Sequence, residues 1–555
     1  MLATARGGIR VKPESDHEKS GLGHWALLLA IVAIGALLRT AAIGREALWT
    51  DEALTLVLAH WPLGEMILQP ADQTPFLYYA VHKLMFGPDA SAAAVRTISL
   101  AAGLLAIPLV YAAGRLCFGP RAGLVAATLL AVWGPHVDYS QEARAYALFF
   151  LIVLASATAL LWWFAEAARD EQRRLAGIPA RRIALSCFAI ATALSFYAHI
   201  TSIFWIACAL QILISLSLRT GARRYMSEVA AALAAMALLA LPGLVRLARE
   251  VALPDAFHWL RQASPAEFVA TAADVLLPLG DGAIGGVLQA AAAAATALLL
   301  VRRRGRLREL FGRNPAAAAV ILALLALPLI VWLAGYVLRP IFMFRTALVG
   351  IPGAILLVAG VLELVSGRRS SAALAAGAVA LALAPPLLAG TVRDKEDWRG
   401  AFAALAARVQ PGDLIVACPS WKYPALRHAA ERTVPAAVVV PFGEALLIER
   451  ALGADRAWDR TFFDAVTGPV ARDLNGGPHR GPYPRSAVSL APSARVWLVA
   501  SECSEEEAPG LSQWLGGRPR WTAVWRSPAN GEHAAIEISV HAPGRALDLP
   551  VRLAR

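Results

Sequence analysis

Residues 24–61 read HWALLLAIVAIGALLRTAAIGREALWTDEALTLVLAHW. The first half, 24–44, is apolar but for His24 at its start and Arg39 and Thr40 near its end, and a helix of about 20 such residues crosses the hydrocarbon core of a bilayer. It is too long, and too weakly followed by a cleavage site, for a secretory signal, so it predicts an anchor. The second half turns polar at Thr50-Asp51-Glu52 and then places Leu54, Leu58 and Trp61 along one helical face. The expected local structure is a short helix capped by Thr50, flat on the membrane, with both carboxylates at its N-terminus. Acids at a helix start are also an ordinary preference, so the pair alone does not specify chemistry.

Outward from this stretch the same apolar pattern recurs. About eleven spans lie near 24–44, 92–114, 121–137, 147–165, 183–198, 202–218, 227–245, 283–301, 315–337, 346–366 and 371–390. They account for a composition of 58% hydrophobic and 17% charged residues over 555, where soluble domains are about 25% charged. A purely soluble enzyme and a disordered chain are both excluded. Net charge is +12. The basic clusters from Arg115 to Arg121, Arg169 to Arg182, Arg219 to Arg224, Arg302 to Arg313 and Arg368 to Arg369 fall on one side. The N-terminal tail 1–23, with Arg6, Arg10, Lys12 and Lys19, falls there too. The positive-inside rule makes that side cytoplasmic. Topology therefore explains the charge, and no nucleic-acid partner is expected. Arg39 and Arg96 stand in or near span ends, where their heads can snorkel.

An odd number of spans leaves residues 391–555 outside. There Asp413–Cys418, Ala436–Val440, Arg495–Ala500 and Ala534–Val540 read as strands, with helices over Trp398–Val409 and Ser504–Leu515 and a long loop from Gly468 to Ser493. This alternation predicts a small α/β domain with a largely parallel sheet. Cys418 and Cys503 each follow a strand; a disulfide and two separate buried thiols both fit. No cysteine spacing resembles a zinc site.

Polar residues concentrate in the outward loops. Loop 45–91 adds Asp72, then Tyr78 and Tyr79, to Asp51 and Glu52. Loop 138–146 reads DYSQEARAY, where helical geometry makes Glu142 and Tyr146 neighbours four apart and brings Gln141 near Arg144. His199 and Thr201 cap the turn between the fifth and sixth spans, and Arg339 and Arg345 bracket residues 340–344. A packed interfacial histidine and two snorkelling arginines are the plain alternatives. Carboxylates and guanidiniums on one outer face suit sugar transfer from a polyprenyl phosphate. The leaving group is anionic and needs cations rather than a proton. The acceptor, a hydroxyl or amine, needs one carboxylate base. One in-line displacement inverts the anomeric centre, so two opposed carboxylates are not required. A helix N-terminus lowers a carboxylate's basicity, so such a base acts chiefly by position.

These motifs resemble a known family. Trp49-Thr50-Asp51-Glu52-Ala53 resembles the Asp-Glu motif of the GT-C glycosyltransferases, in particular the bacterial branch that holds the protein O-mannosyltransferases and lipid A aminoarabinose transferases. Residues Asp72 to Tyr79 resemble its acid-x-x-Pro-Pro-Leu-Tyr-Tyr segment, with Phe76 in place of the second proline. Ser140 to Tyr146 resembles its Ser-Gln-Glu-x-Arg-x-Tyr segment, Tyr197-Ala198-His199 its Tyr-x-His, and Lys395 to Arg399 the start of its external domain. The match is good over the first 220 residues and weaker to about 420. The resemblance implies a polytopic α-helical membrane protein, with catalytic loops in 24–390 and a periplasmic α/β domain over 391–555. It implies Asp51 as general base with Glu52 shaping the site. Arg144, Tyr146 and Arg345 would hold the donor phosphate. Asp72, Tyr78, Tyr79, Glu142 and His199 would line the loops and acceptor side. Asp72, joined by Glu142, would bind a divalent metal if one is used. The partners implied are a polyprenyl-phosphate sugar, an envelope lipid, glycan or protein acceptor, and the bacterial inner membrane. A transporter of lipid-linked sugars would place ionisable groups at mid-bilayer and show inverted repeats. A polysaccharide ligase or polymerase would not predict the Asp51-Glu52 pair.

Overall fold

The structure is a computed structural model. It describes residues 21–365 apart from 42, 45–46, 69–73, 170–172, 252–260 and 280–281. Beyond them it describes 377, 396–411, 413–418, 422–434, 438–441, 495–501, 503, 521–525 and 536–541. Among these residues eight helices are long and apolar enough to cross a membrane: Gly23–Thr40, Ala92–Phe118, Tyr146–Ala167, Ser202–Arg219, Gly221–Ala248, Gly285–Arg302, Pro315–Ala334 and Phe344–Glu363. They match eight of the expected spans. The expected span 121–137 is divided into Pro120–Ala131 and Gly134–Ser140, the first shorter than a full crossing. The span at 183–198 lies within Ala180–Ala198; Arg181 and Arg182 in its first turn lower its mean hydropathy, and it is not among the eight. The span at 371–390 falls outside the described residues but for 377.

The chain divides into two compact units, and the division falls within the helix Ala92–Phe118. One unit comprises Met1–Ala41, Ser99–Leu247 and Phe257–Gly390. In it Ala180–Ala198 packs along Tyr146–Ala167, and Ile351–Val365 packs on both Pro315–Ala334 and Pro120–Ala131. Ala92–Phe118 turns back into Pro120–Ala131 at Gly119, whose φ of 102° suits glycine. The two helices approach so closely that a Cβ on Gly123 would lie 2.6 Å from the Tyr111 carbonyl.

Arg39 corrects an expectation. It does not snorkel: its side chain is fully buried in this unit. Nε donates to Ser140 Oγ, Nη1 to the carbonyls of Gly35 and Ala131, and Nη2 to the Leu130 carbonyl and His136 Nδ1. A guanidinium has five N–H donors in a planar fork, and five acceptors surround this one. The carbonyls of Leu130 and Ala131 end the Pro120–Ala131 helix, so Arg39 caps it from the first span.

The other unit comprises Ala42–Ile98, Ala248–Ala256 and Thr391–Arg555. After the small hairpin of β1 (Arg174–Leu175) and β2 (Ile178–Pro179) in the first unit, the remaining strands all lie here. They are β3 (Leu414–Cys418), β4 (Val438–Pro441), β5 (Val496–Ser501), β6 (Trp521–Trp525) and β7 (Ile536–His541). Their order is β4-β3-β5-β7-β6. Only β4-β3-β5 is parallel; β7 runs antiparallel to both β5 and β6, so the sheet is mixed rather than largely parallel, and β6 was not foreseen. The helices Trp398–Ala406 and Tyr423–Thr433 pack against each other, and Trp398, Phe402, Leu426 and Trp497 are buried. Cys418 and Cys503 form a disulfide, with Cα atoms 5.6 Å apart. The helix over Ser504–Leu515 and the loop Gly468–Ser493 lie outside the described residues. At the opposite end of β3, Asp413 accepts hydrogen bonds from Arg495, Trp497 Nε1 and the Gln410 N–H. Burial pushes its carboxyl up, but these donors outweigh it and hold it below the ordinary carboxylate value.

Candidate active site

The helix Thr50–Ala59 carries the paired carboxylates, and the two have different surroundings. Glu52 is fully buried. Its Oε1 accepts from Arg96 Nε at 2.8 Å, and its Oε2 from Arg96 Nη2 at 2.6 Å and from the Trp49 N–H at 3.4 Å. The last contact caps the helix: three residues into it, Glu52 reaches back to an orphan donor at the start. Thr50 is not the cap that the sequence suggested. Trp49 precedes the helix, and the Thr50 hydroxyl donates instead to Glu396 Oε2 at 3.2 Å. Asp51, between them, is half-buried.

Arg96 does not snorkel either. It is 2% exposed, pairs with Glu52 through two nitrogens, and donates to the carbonyls of Ile43 and Ala47. A guanidinium and a carboxylate in this two-pronged geometry hold one relative orientation. The backbone leading into Asp51 is therefore tied to the start of Ala92–Phe118. At the far end Lys83 Nζ donates to the Ala59 carbonyl at 2.7 Å, where a cation complements the helix C-terminus. The helix does not present a single apolar face. Residues 52 to 59 are all buried, Thr55 and Val57 included. It also packs against Tyr423–Thr433. A helix buried all round belongs to a core.

Tyr78 and Tyr79 are interior residues of the same unit, and the Tyr78 hydroxyl donates to the Val95 carbonyl. Asp72 lies outside the described residues.

The other expected residues lie in the first unit. The segment 141–145 is a turn between the helices Gly134–Ser140 and Tyr146–Ala167, so the helical spacing assumed for Glu142 and Tyr146 does not occur. The Arg144 N–H donates to the Glu142 carbonyl at 2.8 Å, a tight turn that buries both side chains. Ser99 Oγ donates to the Arg144 carbonyl and Gln141 Nε2 to the Leu38 carbonyl, which fixes the turn from both sides. Tyr146 is the hub of an aromatic cluster. Its ring lies 5.3 Å from Tyr139 and 5.6 Å from His199, and the Arg345 guanidinium sits over it at 5.6 Å. A cation over an aromatic face is held by the ring quadrupole. His199 also stacks on Phe149, and its Nδ1 accepts from the Thr201 N–H at 3.2 Å. The same Nδ1 lies 2.8 Å from the Thr201 hydroxyl.

No family model matches the sequence, and neither does any curated protein. Solved structures do. The lipid A aminoarabinose transferase ArnT from Cupriavidus metallidurans in the apo state matches with a TM-score of 0.56 and 14% identity, over 94% of this chain and 98% of that one. ArnT bound to undecaprenyl phosphate matches with a TM-score of 0.52 and 14% identity, over 95% and 99%. The chain has a GT-C glycosyltransferase fold. An oligosaccharyltransferase from Archaeoglobus fulgidus, in complex with zinc and sulfate, is more distant, with a TM-score of 0.44 at 14% identity over 92% and 73%.

Within this fold the expected site residues form two groups. Asp51, Glu52, Tyr78 and Tyr79 belong to one unit, and Glu142, Arg144, Tyr146, His199 and Arg345 to the other. Tyr146, His199 and Arg345 are in mutual reach through the Tyr146 ring. Among the described residues no three His, Cys, Asp or Glu side chains gather as metal ligands would. Three polar partners in the Asp51 neighbourhood were missed: Arg96, Glu396 and Lys422. Arg96 had a signal, a cation near the start of an apolar helix. Glu396 lay in the Lys395–Arg399 motif, but nothing local marked it as a partner of Thr50. Lys422 had none.

Proposed function

We propose that the protein is an inverting glycosyltransferase that takes a sugar from a polyprenyl-phosphate donor and joins it to a hydroxyl or amine on the outer face of the bacterial inner membrane. The observation that carries this reading is the likeness to ArnT along almost the whole of both chains, one of those structures holding undecaprenyl phosphate. Asp51 is the general base. Its neighbour Glu52 has both oxygens engaged by Arg96 and the helix cap, so its part is to shape the helix start. Arg144 and Arg345 neutralise the donor phosphate, and Tyr146, under Arg345 and beside His199, positions it. As the acceptor oxygen or nitrogen attacks the anomeric carbon, the bond to the phosphate oxygen breaks. The phosphate leaves as an anion, and Asp51 takes the acceptor's proton. If a divalent ion takes part, Asp72 and Glu142 are the proposed ligands; no step above depends on it. Residues 1–23 are proposed to face the cytoplasm and 391–555 the periplasm, which the Cys418–Cys503 disulfide supports, since such bonds persist in oxidising compartments.

The test is release of undecaprenyl phosphate from a panel of undecaprenyl-phosphate sugars by the purified full-length chain in proteoliposomes. Asp51→Asn is expected to abolish release and to leave donor binding intact. Full activity in that variant removes Asp51 from the role. Deletion of the protein in its host, followed by mass comparison of envelope glycans, lipids and proteins, identifies sugar and acceptor together.

A further inference from the structure

The unit that carries Asp51 contains a buried polar chain. It begins at the disulfide side of the sheet. Cys418 ends β3 and Ser501 ends β5, and these neighbouring parallel strands are joined just beyond by Cys418–Cys503. Lys422, four residues after Cys418, is 1% exposed. Its ammonium donates to Ser501 Oγ at 3.2 Å and to Glu396 Oε1. Glu396, 8% exposed, accepts on its other oxygen from Trp398 Nε1 at 2.9 Å and from the Thr50 hydroxyl at 3.2 Å. Thr50 is the first residue of the helix and the neighbour of Asp51. Arg399 adds a hydrogen bond to the Gly44 carbonyl at 3.3 Å.

Burying a lysine and a glutamate is costly, and a pair of apolar residues would serve stability as well or better. What the pair supplies is a fixed point: two charges with their remaining valences filled by Ser501, Trp398 and Thr50 hold one geometry. The helix Thr50–Ala59 also packs on Tyr423–Thr433, a contact that alone does not fix the rotation of the helix about its axis. The hydrogen bond from Thr50 is directional and lies one residue from Asp51.

We infer that Glu396 and Lys422 are positioning residues, which set the Asp51 carboxylate through the Thr50 hydroxyl. The inference rests on Asp51 acting as the base. A base that works by position rather than by a shifted pKa is sensitive to small displacements: an error of about 1 Å costs roughly a hundred-fold in rate. The C-terminal segment thereby enters the reaction by supplying the anchor of the catalytic helix.

The experiment uses the full-length chain in proteoliposomes, with the undecaprenyl-phosphate sugars as donors and amide hydrogen exchange of residues 50–59 as a second readout. Thr50→Val keeps the shape and removes the hydroxyl. It is expected to lower kcat by about ten-fold or more, leave the donor KM unchanged and speed exchange in the helix. Thr50→Ser restores the hydroxyl, and with it both kcat and protection. Glu396→Gln, which keeps an acceptor but loses the charge beside Lys422, is expected to fall between wild type and Thr50→Val. A wild-type kcat in Thr50→Val overturns the inference, whatever the exchange shows. So does a lowered kcat with unchanged exchange, because the loss then has another cause. Asp51→Asn separates the two claims. If it keeps full activity, Asp51 loses its role as base, and the exchange arm still decides whether Glu396 holds the helix.

Discussion

At the scale of single residues, adjacent carboxylates in one helix turn have opposite fates. Glu52 shares a buried two-pronged bridge with Arg96, while Asp51 keeps partial exposure. Removing one member of a buried pair strands the other charge, at a cost of about 3–5 kcal/mol. Glu52→Gln is therefore expected to lower the midpoint of thermal unfolding sharply, and Asp51→Asn to leave it near wild type while abolishing transfer. A melting curve of each variant in detergent checks this. The sequence pointed to both acids from their place after the first span, and to Tyr146, His199 and Arg345 from their loops. It could not assign their surroundings. Arg96 is 44 residues from Glu52, and Glu396 is 346 from Thr50. Such contacts are set by tertiary packing, which leaves no periodic trace in one sequence. Thr50 misled for a related reason. Its type is favoured at a helix cap, but a buried acceptor elsewhere competed for the hydroxyl and won, leaving the cap to Glu52.

At the scale of elements, apolar periodicity carried most of the reading. The long spans are legible because each must satisfy its backbone internally and face lipid or other helices with apolar side chains. Where a span deviates, a specific residue is responsible. Gly119 turns the chain, and Gly134-Pro135 restarts a helix after Ala131. The strands of the C-terminal domain were legible as apolar runs, but their direction was not. β7 runs antiparallel beside β5 although helices precede the earlier strands. A parallel neighbour needs a crossover, and the two kinds of strand read alike in isolation. The disulfide joins elements 85 residues apart in sequence. In the chain-entropy account a bridge over such a loop contributes about 4.6 kcal/mol. The double variant Cys418→Ser, Cys503→Ser is expected to melt at lower temperature than wild type, and reductant should shift wild type towards it. Equal melting of the two forms removes the bridge from the stability of this unit.

At the scale of the whole molecule, the arrangement expected from arginine placement makes a definite statement about sidedness. A reporter enzyme that matures only in an oxidising compartment, fused after Arg555, is expected to be active. The same reporter inserted at Gly221, beside Arg219, Arg223 and Arg224, is expected to be inactive. The reverse pattern inverts the topology and with it the assignment of 391–555. The likeness to ArnT was legible from four motifs in order, not from overall similarity, since the identity is 14%. The division of the chain was not legible. Residues 42–98 group with the C-terminal segment rather than with the spans that flank them, through contacts such as Thr50 to Glu396.

The Arg39 network has a consequence for how the protein is made. Its acceptors at Leu130, Ala131, His136 and Ser140 lie 91 to 101 residues downstream. At about 5–20 residues per second of synthesis, the first span emerges several seconds before they exist. During that interval it carries a cation with few partners, and an arginine in a lipid-facing helix opposes insertion. Biogenesis thus acquires an order. The expected order is that the first span settles in lipid only once residues 130–140 have arrived to receive its guanidinium.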